Sequence, residues 1–512
     1  MAHREMIEPQ LFSRPARLAA RLRRDGGEAS NYLFNKKHIL VRIEEAFGEM
    51  ADAQETFLFA VNQVLRFCPN VVVAVPRNAR NLIDVSDQFA AQVHGPGNGV
   101  AVADIGAAPR FDAVINVGTE VRSGLPWITV NSTGWLARVA SSGSEVAQLF
   151  WMSQPYNPIG ALAAACLAAG SAFLTIAGHP VAELRELSLF TLGMGAPGSL
   201  SAGPVLPETP VELDGFLVGC GAVANGWAYA VKRLPIGGRL QGIDRQSLGI
   251  ENLGSYVAAG YESVGRPKAE VIRDFLAPSI AVTARPDEWE LFKIRLRREV
   301  PIPPLIVNGL DNVETRHSVQ RLWPDTLIDM AADGLTSQVI VKHRVSDGLC
   351  LLQALTAAAD QPNWAERLAV QTGLRADRIL NDPTSLITQA DVDAAPPEKR
   401  RELERDREQG LRVCGRVTRQ NLTMEGVDPD FAPAVPFVTA FSGVVGAAET
   451  LKCLLGHRYH HALHYQQSFQ SGRSRALEMA CNPECECQAS KDRGGDLLWQ
   501  RRRTDSQSYS AS

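Results

Sequence analysis

Gly215-Phe216-Leu217-Val218-Gly219-Cys220-Gly221-Ala222-Val223-Ala224 is the stretch on which the reading of this chain turns. Four residues suited to a buried strand run into two glycines spaced by one residue, and a helix-compatible segment follows. Glycine lacks a Cβ, so backbone N–H groups and the N-terminus of the following helix can approach a phosphate there. Downstream, Leu240-Gln241-Gly242-Ile243 reads as a second strand and ends in Asp244, placed as the acidic residue that accepts hydrogen bonds from a ribose. Gly219, Gly221, Ala224 and Asp244 are therefore candidate nucleotide-binding residues on a Rossmann-like α/β sheet. So far the pattern suits NAD as well as ATP.

The residues that follow separate the two. Asn252-Leu253 lies just past Asp244, and Val264-Gly265-Arg266-Pro267-Lys268-Ala269 presents a lysine at the start of a helix. The strand 304–309 then ends in Asp311-Asn312-Val313-Glu314-Thr315-Arg316. A strand-end carboxylate, Asp311, facing Lys268 and a glycine turn is suited to hold Mg²⁺ on nucleotide phosphates while the lysine neutralises charge. A dehydrogenase has no use for that arrangement, although an NAD-dependent oxidoreductase stays open as an alternative. No Walker-type lysine motif occurs, so a P-loop is excluded on pattern.

Working outward, 512 residues exceed what one hydrophobic core usually supports, so two or more domains are expected. Hydrophobic residues at 45% and charged residues at 21% exclude a mainly disordered chain, and a net charge of -4 offers no basic field for nucleic acid. The N-terminus lacks the apolar core of a secretory signal, and nine cysteines, an odd number, argue for reduced thiols. Both point to the cytoplasm. The apolar run 158–176 (PIGALAAACLAAGSAFLTI) is near the length of a short membrane span, but its small residues suit packing against a sheet.

The organisation expected is residues 1–195 as a first α/β domain, a Gly/Pro/Ser-rich linker over 196–210, the nucleotide domain over 211–345 and 434–465, a helical insertion over 346–433, and a cysteine-containing, partly disordered tail over 466–512. Asn70-Val71-Val72-Val73-Ala74 and 112–117 read as buried parallel strands of the first domain. The two domains read as distant repeats. Ile115-Asn116-Val117-Gly118-Thr119-Glu120-Val121-Arg122 parallels Val307-Asn308-Gly309-Leu310-Asp311-Asn312-Val313-Glu314-Thr315-Arg316, and Asn157-Pro158-Ile159-Gly160 before an Ala-rich helix parallels Val435-Pro436-Phe437-Val438. The first copy has no glycine turn after its NVVVA strand, only Val75-Pro76-Arg77-Asn78, which implies a scaffold without nucleotide. The charged run 397–409 reads as the solvated face of a helix.

From the glycine turn, Asp244, Asn252-Leu253, Val-Gly-x-Pro-Lys-Ala and Asp-Asn-x-x-x-Arg, in that order, the chain resembles the ThiF, MoeB and ubiquitin-activating enzyme superfamily over about 216–328 and 434–455. The resemblance implies ATP-dependent adenylation of the C-terminal carboxylate of a ubiquitin-like protein. The glycine turn and Asp244 would hold ATP, Asn252 and Lys268 would contact its phosphates and ribose region, and Asp311 would serve Mg²⁺. The pattern departs at one point. Where the family has Asn-Leu-x-Arg-Gln, this chain has Asn252-Leu253-Gly254-Ser255-Tyr256, so a phosphate-binding arginine is missing. Arg266 or an arginine of the first half could substitute for it. A catalytically inactive scaffold that docks a ubiquitin-like partner is the alternative this leaves. An inactive half joined to an active one, with a helical insertion, looks most like activating enzymes of bacterial ubiquitin-like conjugation operons, often linked to antiphage defence. The partners implied are a ubiquitin-like protein and a ubiquitin-conjugating-type enzyme, with homodimerisation open and no membrane or nucleic acid.

Such enzymes usually pass the substrate to a thiol, whose reactivity depends on nearby positive charge. Cys414, between Arg412 and Arg416 in the insertion, fits that role best, and Cys350 is the second candidate or a remnant of a zinc-ligand pair whose partner position holds Gln353. Cys166 and Cys220 read as packing residues. Cys481, Cys485 and Cys487 cluster three soft ligands where Zn²⁺ needs four. The fourth would be Cys350 or one of His457, His460, His461 and His464, read as recurring on one helix; a tail with exposed thiols is the alternative.

Overall fold

The computed structural model describes residues 34–485 apart from 104–110, 124–125, 143–147, 180–184, 197, 290–291, 294–295, 297–301, 344–347, 356–368, 371, 383–384, 414–415, 417–434, 458–461 and 479, together with residues 15–16, 18–19 and 22. The first half comprises β1 (His38–Ile43), α1 (Ala51–Leu65), β2 (Asn70–Ala74), α2 (Asn81–His94), β3 (Ala101–Val102), β4 (Ala113–Val117), β5 (Trp127–Thr133), β6 (Leu136–Ser141), α3 (Pro158–Ile176), β7 (Arg185–Ser188) and β8 (Met194–Gly195). The second opens with β9 (Val211–Val218), α4 (Ala222–Val231), β10 (Ile236–Ile243), α5 (Lys268–Leu276), β11 (Ala281–Arg285), β12 (Leu305–Asn308), α6 (Val313–Gln320), β13 (Thr326–Asp333) and β14 (Thr336–His343). It continues through the insertion helices α7 (Leu351–Ala354), α8 (Ala376–Asn381), α9 (Gln389–Ala394) and α10 (Pro397–Glu408), and closes with α11 (Pro436–Leu454), β15 (Ala462–Ser468) and β16 (Ser474–Leu477).

The two sheets have the same order, β3-β2-β1-β4-β5-β6-β7-β8 and β11-β10-β9-β12-β13-β14-β15-β16. In each, the strands up to β5 or β13 run parallel and the rest antiparallel. Parallel neighbours need crossover connections, which helices such as α1 and α4 supply. The internal repeat is thus visible in strand order as well as in the short sequence parallels. Its register corrects one expectation. The partner of the central strand β9 is β1, not the NVVVA strand β2, so the counterpart of the glycine turn is the corner after Ile43. His38 and Arg42 break the apolar run of HILVRI, which hid a central strand whose remaining residues are buried.

The long apolar helices α3 and α11 both start with proline in the first turn, where its missing N–H costs nothing. Each is long and apolar enough to cross a membrane, yet 83% and 89% of their apolar windows are buried within the protein. They pack on one another between the sheets, with Phe173 and Phe437 ring centroids 5.3 Å apart. A continuous core therefore runs through both halves, and Phe59 stacks on Tyr229 at 4.4 Å across the divide. At the rim of that seam Arg233 pairs with Glu55 at 2.5 Å. The insertion has its own small core around Leu374, Ile379, Ile387, Leu403 and Val413. In α10 the charged run is mostly solvated, as its composition suggests, except for Leu403 and Asp406. The second sheet also extends past residue 465: β15 and β16 add two antiparallel strands to its edge. His464 lies in β15 against Gln338 at 2.6 Å, which replaces the expected histidine helix by a strand. Alternating polar residues facing outward disguised it.

Candidate functional site

The site lies at the C-terminal ends of β9, β10 and β12. Gly219 has φ +81°, and a Cβ there would come within 3.0 Å of Gly309 C and Leu310 N. Any other residue would be strained and would push away the end of β12, so the glycine brings the turn against the segment that carries Asp311. Gly221 caps α4, and Ala224 is buried one turn in. Asp244 closes the turn from the neighbouring strand, accepting Cys220 N at 2.8 Å and Gln246 N at 2.8 Å. Cys220 itself is buried, and burial, then the Asp244 charge, pushes its thiol well above the ordinary range, in keeping with a packing role. Cys166 is likewise buried in α3.

Lys268 opens α5 as expected, but it is 6% exposed and donates to Gln246 Oε1 at 2.6 Å. Burial works against its charge, yet Tyr256, Asp244 and Glu251 outweigh it and hold the ammonium above the usual lysine range. Tyr256, which stands where the resemblance expects glutamine, lies between these groups. Its hydroxyl is 3.7 Å from where a Cβ of Gly221 would be, and its ring centroid is 5.4 Å from Lys268 Nζ. Tyr256 and Gln246 are site residues that sequence reasoning missed; Tyr256 could have been noticed, because it fills a motif position with the wrong residue. Asn252 sits in the short turn Ile250–Gly254 with Oδ1 accepting Gly249 N at 2.9 Å.

Asp311 is exposed at the end of β12, and Asn312 rather than Asp311 caps α6, accepting Thr315 N at 3.1 Å. Arg316 points into the sheet and forms a buried ion pair with Asp329, whose other donor is Asn308 Nδ2 at 2.6 Å. This network fixes the β12 end and leaves the Asp311 carboxylate outward, a donor suited to a hard cation. Gly219, Gly221, Asp244, Tyr256 and Lys268 thus converge, with Asp311 on the far lip of the turn. Ser255 is buried against α11, where Thr439 Oγ1 donates to its carbonyl at 3.4 Å. Arg266, one substitute considered for the missing arginine, is paired with Asp274 at the surface.

A second cluster forms beyond β14. Cys350, fully buried, meets Cys481 and Cys485 with all three sulfurs within 4.8 Å of one another, and Cys350 and Cys485 Sγ are 3.6 Å apart. Sulfurs on a zinc tetrahedron with bonds near 2.3 Å lie about 3.8 Å apart, so the residues fit Zn²⁺. Gln353 Oε1 accepts Asn482 N at 2.9 Å, so the residue that replaces a ligand still fastens the cysteine turn. Cys487, the remaining candidate ligand, lies outside the described residues, as do Cys414, His460 and His461. Membership of this buried cluster removes Cys350 as an accessible nucleophile. Beside Cys414, Arg416 is committed to Asp406 and Glu402.

The ThiF family model matches residues 212–489, and a model of the BilD N-terminal domain matches residues 38–190. The chain belongs to the ThiF family, a family of E1-like adenylating enzymes. It is 27% identical over 269 residues to the uncharacterized protein y4jF of Sinorhizobium fredii, covering 50% of this chain and 48% of that protein, so it spans about half the length of that relative. Among solved structures it is similar to E. coli MccB with MccA-N7isoASN, at 14% identity and a TM-score of 0.36, covering 54% of this chain and 66% of that one. MccB with N-formylated MccA gives 14% identity and a TM-score of 0.35, over 54% and 67%.

Proposed function

We propose that the second half adenylates the C-terminal carboxylate of a ubiquitin-like protein. A carboxylate oxygen attacks the α-phosphorus of ATP, the bond to the pyrophosphate oxygen breaks, and pyrophosphate leaves. A thiol then attacks the acyl carbon, AMP leaves, and the resulting thioester is handed to a ubiquitin-conjugating-type enzyme. The observation that carries the reading is the glycine turn clamped by Asp244, with a buried, charged Lys268 on one side and an outward Asp311 on the other. Orientation and charge stabilisation suffice for the first step, without a general base. Mg²⁺ at Asp311 would neutralise phosphate charge; Gly219, Gly221, Ala224, Asp244, Asn252 and Lys268 would hold the nucleotide. Zn²⁺ would be held by Cys350, Cys481 and Cys485, with Cys487 as fourth ligand, and would fasten the end of the chain to the insertion. Cys414 remains the proposed thioester thiol. The match of the first half to the BilD N-terminal domain is in keeping with a non-catalytic partner half, and we place the conjugation system in the cytoplasm.

Ser255 favours a second reading, a scaffold that binds a ubiquitin-like protein without activating it. ATP–pyrophosphate exchange separates the two. Exchange that depends on a ubiquitin-like protein encoded nearby, and is lost in Asp311→Ala, is the expected result; ATP binding without exchange for any such partner would leave the scaffold. Cys414→Ala is expected to keep exchange and lose a thiol-reducible adduct, and an adduct that persists would move the nucleophile elsewhere.

A further inference from the structure

We propose that Arg66, a residue of the first half, is a positioning residue for the nucleotide site of the second, acting through the backbone of residues 253–259. The inference rests on the adenylation reading above. Arg66 follows α1 directly and is 1% exposed. Its hydrogen bonds go to neutral acceptors: Nε to Asn62 Oδ1 at 2.9 Å, Nη1 to Leu253 O, and Nη2 to Ala259 O at 3.2 Å. Taking a guanidinium out of water without a directly bonded carboxylate is costly. Burial pulls its pKa down to about 9, which still leaves it charged at neutral pH. What that charge holds is the loop carrying Asn252 and Tyr256.

Asn62, one turn earlier on α1, donates Nδ2 to Val257 O at 3.1 Å. The carbonyls of Leu253, Val257 and Ala259 are therefore all taken by first-half side chains. The loop's own bonds include turn closures such as Tyr256 N to Asn252 O at 3.0 Å and Ala259 N to Tyr256 O at 3.0 Å, and Thr439 of α11 donates to Ser255 O at 3.4 Å. Its other side presents Tyr256 to Lys268 and to Gly221. A planar fork spans two carbonyls six residues apart, which the single ammonium of a lysine does not. The first half thus sets the back of the loop, and the loop sets the lysine and the tyrosine against the glycine turn.

The test uses the full chain, with Arg66→Lys and Arg66→Met compared with wild type by calorimetric ATP titration, pyrophosphate exchange and thermal midpoint. Arg66→Lys is expected to stay folded while its Kd and KM for ATP rise about tenfold and kcat falls less, the signature of a displaced binding loop. Should Arg66→Met fail to fold, Asn62→Ala, which removes one bond of the clamp, is expected to weaken ATP binding in the same direction by a smaller factor. A merely structural role would lower the thermal midpoint and the active fraction with KM unchanged, and that result overturns the proposal. A wild-type chain that binds no ATP overturns the nucleotide reading and this role with it, an outcome distinct from normal wild-type binding and an unaffected variant.

Discussion

The two halves share a strand order and differ at one corner. In the second, the central strand β9 runs into Gly219, and a Cβ on Gly221 in the same turn would meet only Tyr256 Oη at 3.7 Å and Gly309 O at 3.9 Å. In the first, the equivalent strand β1 is followed by Glu44, whose carboxylate folds back and accepts Asn116 Nδ2 at 2.6 Å, Glu120 N at 2.8 Å and Thr119 N at 3.0 Å. Glu44 fills the corner so closely that a Cβ on Gly118 would lie 2.2 Å from its Cδ. The backbone N–H groups of Thr119 and Glu120, just past β4, are thereby satisfied from within, and the Glu44 side chain occupies the corner. One fold supports a site or a scaffold according to what fills this corner, a glycine turn in one half and a glutamate side chain in the other.

That contrast can be broken most sharply at the glycine turn. Gly219→Val adds a side chain where φ is +81°, and is expected to lower pyrophosphate exchange by at least about a hundredfold, because the turn and the Asp311 lip separate. An exchange rate within a few fold of wild type would show that the turn is not the site. The second test compares buried networks. Arg316→Met strands Asp329 and is expected to cost about 3–5 kcal/mol in denaturant unfolding, far more than Arg266→Met at an exposed pair. Equal losses would remove the role given to the Arg316 network in holding the β12 end. Third, Cys350→Ser is expected to lower bound zinc from roughly one per chain and to loosen the segment around residue 481, measured by metal analysis and limited proteolysis. Unchanged metal content would take Cys350 out of the ligand set.

The smallest effect concerns Asp52, at the start of α1 in the first half. Burial, partly offset by a hydrogen bond from Asn157 N, raises the Asp52 carboxyl to about 6, with Glu55 adding to the shift. A carboxyl raised in the folded state binds more protons folded than unfolded between about pH 4 and 6. Its ionisation therefore costs stability, which falls as pH rises through that window and stays lowered above it. Asp52→Asn keeps an acceptor for Asn157 N and is expected to gain ~1 kcal/mol at pH 8 and nothing near pH 4. A gain that is the same at both pH values would assign the effect to packing.

Much of the second half was legible. Strand, glycine turn, Asp244 and Lys268 are local signals, each carried by a few adjacent residues, and α3 and α11 announce themselves by proline followed by a long apolar run. What stayed hidden was non-local. β1 opens on an exposed His38 and carries Arg42 within its buried run, and so does not read as a central strand. Arg66 looks like an ordinary basic residue at a helix C-terminus, and only the packing of α1 on residues 253–259 turns it inward. Cys350 and Cys481 are brought together beside the edge of a sheet whose last strands are polar, and in the sequence only their shared thiol chemistry links them.

The central claim is that one half binds nucleotide and the other has closed its own site. Calorimetric titration of ATP and Mg²⁺ into the full chain, into Gly219→Val and into Glu44→Ala measures it directly. One nucleotide is expected per wild-type chain, none for Gly219→Val, and still one for Glu44→Ala, since emptying the corner supplies neither a glycine turn nor a lysine. Two nucleotides per chain, or binding that survives Gly219→Val and disappears in Glu44→Ala, would contradict it.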